Sequence, residues 1–177
     1  MRIISVTISM GEKEDMFDRR TLLGAGMATA VTAIIAGKAI SAPKQTRFEV
    51  TLSDAEWRQR LSPTAYATLR QAATERPFSS PLATEKRTGT FACAGCDLPL
   101  FASRTKFNSG TGWPSFYKPL PNAVATKTDY ELGYPRTEVH CRRCGGHLGH
   151  VFDDGPLPTG KRYCMNGVAL TFIPATA

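Results

Sequence analysis

The chain is 177 residues long, room for one domain and an extension, and 42% hydrophobic residues are enough to build a core. Formal net charge is +7. The basic residues are scattered, with no run longer than Arg142-Arg143, whereas nucleic-acid binding calls for a basic stripe with interleaved aromatics. This argues against a nucleic-acid partner and for a solvated surface, with acidic partners as the lesser alternative. Twelve Pro and fifteen Gly favour turns and short strands over long helices.

Residues 1–42 read as a targeting segment. Arg19-Arg20 precedes Leu22, Leu23 and a weakly apolar run to Ile40, and the small residues Ala39, Ser41 and Ala42 offer cleavage sites. This is the order of a twin-arginine export signal, which predicts a periplasmic location. Met16 offers an alternative start. An uncleaved anchor is the competing reading, since the stretch approaches the ~20 residues that span a bilayer. Gly24, Gly26, Gly37 and Lys38 dilute it. Export also places the domain where free thiols tend to be oxidised, so its cysteines should be ligated, paired or reactive.

The folded domain is expected over residues 46–175. Residues 43–51 read as an extended lead-in. Ser53-Asp54-Ala55-Glu56 fits a capping box opening a short helix to about residue 61. Ser62-Pro63 starts a second helix to about Ala73. Leu61, Tyr66 and Leu69 should pack on the main body, and residues 76–90 read as irregular. Strands are expected at Thr90–Ala92, Pro99–Phe101, Ala123–Thr126, Glu138–Cys141, His150–Phe152 and Val168–Ile173, the last as a buried strand. The fold class is therefore mainly β and antiparallel, with short N-terminal helices.

Cys93-Ala94-Gly95-Cys96 and Cys141-Arg142-Arg143-Cys144 are two C-x-x-C knuckles. Two such turns supply the four-thiolate tetrahedron that zinc prefers, and a closed set of four has a structural role. Two disulfides or an iron site are the alternatives. The fifth cysteine, Cys164, lies beside Arg162, which would favour its thiolate. An inert buried cysteine is the competing reading. All three histidines, His140, His147 and His150, fall within eleven residues. Two of them near a free thiol and Asp154 can form an acid–base set. Trp113, in a loop of interleaved aromatics and glycines from Lys106 to Phe116, can wall a site for a small apolar group. It can equally be a core aromatic.

Together these residues resemble the peptide methionine-R-sulfoxide reductase B family. The resemblance runs from about Leu52 to Ile173. It rests on Thr74-Glu75-Arg76-Pro77-Phe78, the first knuckle, Ser109–Phe116, the segment from His147 to Gly155, and Arg162-Tyr163-Cys164-Met165-Asn166. It implies two antiparallel sheets with short N-terminal helices, one structural zinc on the four knuckle cysteines, and no organic cofactor. It further implies attack by Cys164 on the sulfur of R-configured methionine sulfoxide in peptides or proteins. His150 would protonate the sulfoxide oxygen or organise water, with His147 assisting. Asn166 would hydrogen-bond near the same centre, Asp154 would orient it, Arg162 would favour the thiolate and Trp113 would receive the ε-methyl group. Many family members carry a resolving cysteine where this chain has Thr111, so a thioredoxin-like protein or a small thiol is expected as reductant. A monomer is expected. A zinc-knuckle binding module and a thiol peroxidase are the rival functions; reactivity of Cys164 and the preferred oxidising substrate discriminate them.

Overall fold

Ser53 caps α1, Asp54–Arg60. Its hydroxyl accepts from the Glu56 amide at 3.3 Å, and the Glu56 carboxylate accepts from the Ser53 amide at 2.7 Å. The capping box is therefore formed as its sequence predicts. Ser62 caps α2, Pro63–Gln71, by accepting from the Ala65 amide at 3.2 Å, with Pro63 in the first turn. That position suits proline, whose missing N–H would have no helical partner there. The helices bury Trp57, Ala65, Tyr66 and Leu69, and Leu61 between them is buried as well.

The structure is a computed structural model and describes residues 48–176. The expected export segment, residues 1–42, lies outside the described residues. Among the described residues, no helix is long and apolar enough to cross a membrane.

The described residues also form nine strands in two antiparallel sheets. The smaller sheet has the order β2-β1-β9 (β1 Gly89–Cys93, β2 Pro99–Ala102, β9 Leu170–Pro174). The larger runs β3-β4-β8-β7-β6-β5. Its members are β3 Lys106–Phe107, β4 Ser115–Phe116, β5 Val124–Asp129, β6 Arg136–Cys141, β7 His147–Phe152 and β8 Arg162–Met165. The sheets share one core. Phe116 of β4 stacks on Phe101 of β2, with ring centroids 4.3 Å apart, and meets the edge of Phe91 of β1 at 4.9 Å. Leu148, Met165 and Val139 complete its large-sheet side. Each fully buried large side chain contributes about 1.5–3 kcal/mol.

The C-terminal strand departs from expectation. Gly167–Ala169 is a 3₁₀ turn, and β9 starts only at Leu170. It pairs with β1 alone and leaves Ile173 half exposed, so it is an edge strand and not a buried one. Pro174 has no N–H to give a further neighbour, as suits an edge. The strands β3, β4 and β8 were not expected from the sequence. Two are only two residues long, and β8 mixes Arg, Tyr, Cys and Met.

Candidate active site and metal centre

Each knuckle closes the end of a strand. Cys93 ends β1 and Cys141 ends β6. The turns are held by hydrogen bonds from the Asp97 amide to the Cys93 carbonyl and from the Gly145 amide to the Cys141 carbonyl, both 2.9 Å. One pair thus comes from each sheet. The four sulfurs all lie within 4.8 Å of one another. Cys93 and Cys144 are 3.7 Å apart, and Cys96 and Cys141 are 3.5 Å apart. A metal–sulfur bond of ~2.3 Å in a tetrahedron places the sulfurs ~3.8 Å apart, whereas a disulfide needs ~2.05 Å. The cysteines are free, and their spacing fits one ion shared by four ligands, not two disulfides. Arg70 of α2 donates to the Cys144 carbonyl at 3.0 Å and stacks over Trp57, so the helices brace the same corner.

The fifth cysteine lies in a different setting. Cys164 on β8 stands directly opposite Ser115 on β4 and His150 on β7. The register continues from His150 to Glu138 on β6 and from Glu138 to Lys127 on β5. Directly opposed residues on antiparallel strands share a face. A hydroxyl, a thiol, an imidazole, a carboxylate and an ammonium therefore form one polar row across five strands. The next residues along β8, Tyr163 and Met165, point to the opposite, core side by the two-residue alternation of a strand. Gly149 lets β7 approach closely, since a Cβ there would meet the Cys164 carbonyl oxygen at 2.1 Å.

A cavity of about 150 Å³ opens over this row, walled by Trp113, Phe152, Thr74 and Arg136 and floored by Cys164, His150 and Asn166. Burial pushes the Cys164 thiol up from its ordinary pKa; Thr111, Arg162 and Ser115 pull it back in part. The Thr111 hydroxyl is 3.9 Å from the sulfur. Ser109 links the Thr111 and Ser115 hydroxyls at 2.8 Å each, closing a small hydroxyl network beside the thiol.

Four of the residues singled out in the sequence, Cys164, His150, Asn166 and Trp113, meet in this cavity. Asn166 is almost wholly buried and its amide is engaged with backbone: the oxygen accepts from the Glu75 amide at 3.0 Å, and the nitrogen donates to the Leu148 carbonyl at 3.1 Å. Arg162 adjoins Cys164 and is gripped by Asp154 through two hydrogen bonds of 2.9 and 2.8 Å. Asp154 itself is 61% exposed and lies outside the cavity wall. His147 is also outside it. Its Nδ1 is 3.0 Å from Glu138, and its ring centre is 5.4 Å from that of His150.

Sequence reasoning overlooked Asp129, Arg136, Glu138 and Glu75. Asp129 reaches the Nε2 atom of His150 at 2.8 Å and Arg136 at 2.5 Å. Glu138 pairs with Lys127 as well as His147. Glu75 knits the cavity walls. Its carbonyl accepts from the Trp113 indole at 3.1 Å, its amide serves Asn166, and its carboxylate accepts from the amides of Gly167 and Val168. Its place in Thr74-Glu75-Arg76-Pro77-Phe78 was the only sequence signal; the others depend on strand register.

A family profile described as the SelR domain matches residues 61–174. The chain belongs to the SelR-domain family. That span holds all five cysteines and every cavity residue named above. A relative from Leifsonia xyli, named "Peptide methionine sulfoxide reductase MsrB", is 54% identical over 129 residues. The alignment covers 72% of this chain and 93% of the relative. A protein of the same name from Agrobacterium fabrum is 52% identical over 127 residues, covering 71% and 94%. "Peptide methionine sulfoxide reductase B1, chloroplastic" from Arabidopsis thaliana is 49% identical over 142 residues, covering 76% and 70%.

Proposed function

We propose that this chain reduces R-configured methionine sulfoxide in oxidised peptides and proteins to methionine, with Cys164 as the nucleophile. The observation that carries the reading is the position of Cys164. It sits between Ser115 and His150 under a small aromatic-walled cavity, in a chain similar to proteins named methionine sulfoxide reductases. A volume of about 150 Å³ suits one side-chain tip better than a large ligand.

The chemistry balances without a further cofactor. The Cys164 sulfur attacks the sulfoxide sulfur, and the S–O bond breaks. Oxygen passes to Cys164 with the thiol hydrogen, giving methionine and a sulfenic acid: the sulfoxide sulfur is reduced by two electrons and the cysteine oxidised by two. His150 carries the proton toward the sulfoxide oxygen, and Arg162 favours the attacking thiolate. Trp113 offers an apolar face to the methyl group. Asn166 shapes the floor, Asp154 acts through Arg162, and His147 supports His150.

Regeneration needs an external reductant. Thr111 stands 3.9 Å from Cys164 where a resolving thiol would be needed, and the other four cysteines form the metal cluster. One external thiol condenses with the sulfenic acid, releasing water, and a second releases Cys164 and leaves as a disulfide. A thioredoxin-like protein or a small thiol fits this role. We assign zinc to the four-sulfur cluster on its donor set and spacing. A monomer exported to the periplasm is the accompanying reading, supported by Arg19-Arg20 and the apolar run after it. Replacing both arginines with lysine should retain the protein in the cytoplasm on cell fractionation.

The deciding experiment is single-turnover reduction of R and S epimers of a blocked methionine sulfoxide, with free thiols counted before and after. Reduction of the R epimer alone, with one thiol lost and no disulfide formed, is expected. Failure with both epimers, in folded metal-loaded protein, would refute the assignment. Cys164→Ser should lose turnover by at least ~10³-fold while keeping its metal, read by metal analysis.

A further inference from the structure

Asp129 ends β5 and stands at the neck of the β5–β6 hairpin, 21 positions before the histidine it touches. One of its oxygens, Oδ1, accepts from the Glu131 amide at 2.7 Å. The other, Oδ2, takes Arg136 at 2.5 Å and His150 Nε2 at 2.8 Å. The aspartate is mostly covered, 14% exposed, and His150 is 12% exposed. The Glu131 amide, with His150 and Arg136, holds the Asp129 carboxyl far below the usual carboxylate range. It is therefore ionised near neutral pH. An ionised carboxylate accepts hydrogen bonds and cannot donate one. The imidazole must then carry its proton on Nε2, which leaves the Nδ1 lone pair free. Among the described residues, Nδ1 of His150 has no hydrogen-bond partner, and the ring lines the cavity.

We infer that Asp129 is a positioning residue for the reaction: it fixes His150 as the Nε2–H tautomer and makes Nδ1 the atom that exchanges a proton in the cavity. This rests on the reductase reading for its catalytic meaning, but not for the tautomer itself. Arg136 shares Oδ2 with His150 and also lines the cavity, and the Glu131 amide holds Oδ1, so the carboxylate is anchored at both oxygens before substrate arrives. Other charged or titratable groups face His150 as well. Glu138 lies opposite on β6, Cys164 opposite on β8, and His147 edge-on along β7. Glu138 is already engaged with His147 and Lys127, so Asp129 is the carboxylate that reaches His150. The direction of the imidazole shift is set by competition: burial disfavours the cation, and Asp129 restores part of it.

The test uses the full chain with its metal bound. ¹⁵N NMR of wild-type His150 should report the Nε2–H tautomer above its titration. An Nδ1–H tautomer there would overturn the inference without any mutant. Asp129→Asn removes the obligate acceptor and can turn an N–H toward Nε2. The expected result is an Nδ1–H imidazole, a lowered His150 midpoint, and a single-turnover rate reduced ~10–100-fold with little change in KM. Asp129→Glu should restore the Nε2–H tautomer and part of the rate. An unchanged tautomer and pH–rate profile in folded Asp129→Asn would leave Asp129 a structural hairpin residue only. If wild-type protein reduces neither epimer, the enzymatic reading fails, while the NMR result still decides the tautomer.

Discussion

Cys164 is a thiol under opposed influences, and the balance predicts its pH behaviour. Burial raises its pKa above the ordinary thiol value, and Thr111, Arg162 and Ser115 lower it only in part. A raised thiol pKa means less thiolate near neutrality, so reactivity should climb as pH rises through and beyond the ordinary thiol range of ~8.5. The rate of alkylation by iodoacetamide measures this directly. Arg162→Gln removes one of the groups favouring the thiolate, so its reactivity curve should move to still higher pH; a shift to lower pH would contradict the assignment of Arg162. Beside the same sulfur, Thr111 offers a second test. Its hydroxyl oxygen is 3.9 Å from Cys164 Sγ, so a sulfur in its place would lie beside the nucleophile. Thr111→Cys should convert the end product of single turnover from a sulfenic acid to an intramolecular disulfide, with two thiols lost in place of one.

The candidate active site at the level of elements depends on how closely β7 and β8 approach. A Cβ at Gly149 would meet the Cys164 carbonyl oxygen at 2.1 Å, a backbone atom that cannot swing aside as a side chain can. Gly149→Ala should therefore push β7 off β8 and displace His150 from Cys164, lowering kcat/KM by about 10²-fold, the cost of ångström-scale misplacement. Steady-state kinetics, with circular dichroism to confirm folding, checks it. The same geometry explains what the sequence could disclose. The two caps were legible because a capping box and an N1 proline are local chemistry. The apolar strands of the small sheet were legible because Thr90–Ala92 and Pro99–Phe101 carry their signal in consecutive residues. The metal cluster was legible because C-x-x-C fixes two ligands by spacing alone. The strand β8 was not, because Arg162-Tyr163-Cys164-Met165 has no simple apolar alternation. Nor were Asp129 and Glu138 legible as histidine partners, because register across β5, β6 and β7 creates those contacts. Cys164, His150 and Asn166 were found through composition and family resemblance; the carboxylates behind the imidazoles required coordinates.

For the whole molecule, the four-cysteine cluster, which could hold one metal ion, joins the two sheets at their ends, with one cysteine pair at the end of β1 and one at the end of β6. Between them lies a shared core in which the rings of Phe91, Phe101 and Phe116 pack across the two sheets. If the cluster braced only the local turns, removing the metal would loosen residues 93–96 and 141–144 and leave the Cys164 row intact. Its position predicts a wider failure. Binding of structural zinc can supply on the order of 10 kcal/mol, comparable to the ~5–15 kcal/mol that separates a folded domain from its unfolded chain. Cys141→Ser removes one of four ligands from a fully buried site next to the core. The variant should lose its bound metal and melt at least ~15 °C lower, or fail to fold, with both sheets lost in one transition. A strong chelator should do the same to the unmodified chain, slowly and without touching Cys164. Metal analysis and thermal circular dichroism, followed alongside the near-ultraviolet signal of Trp57 and Trp113, separate the two cases. The two tryptophans mark the helix–knuckle corner and the cavity. Simultaneous loss of both signals would mean that the cluster holds the active-site sheet in place from a distance; loss at Trp57 alone would confine its effect to the corner it occupies.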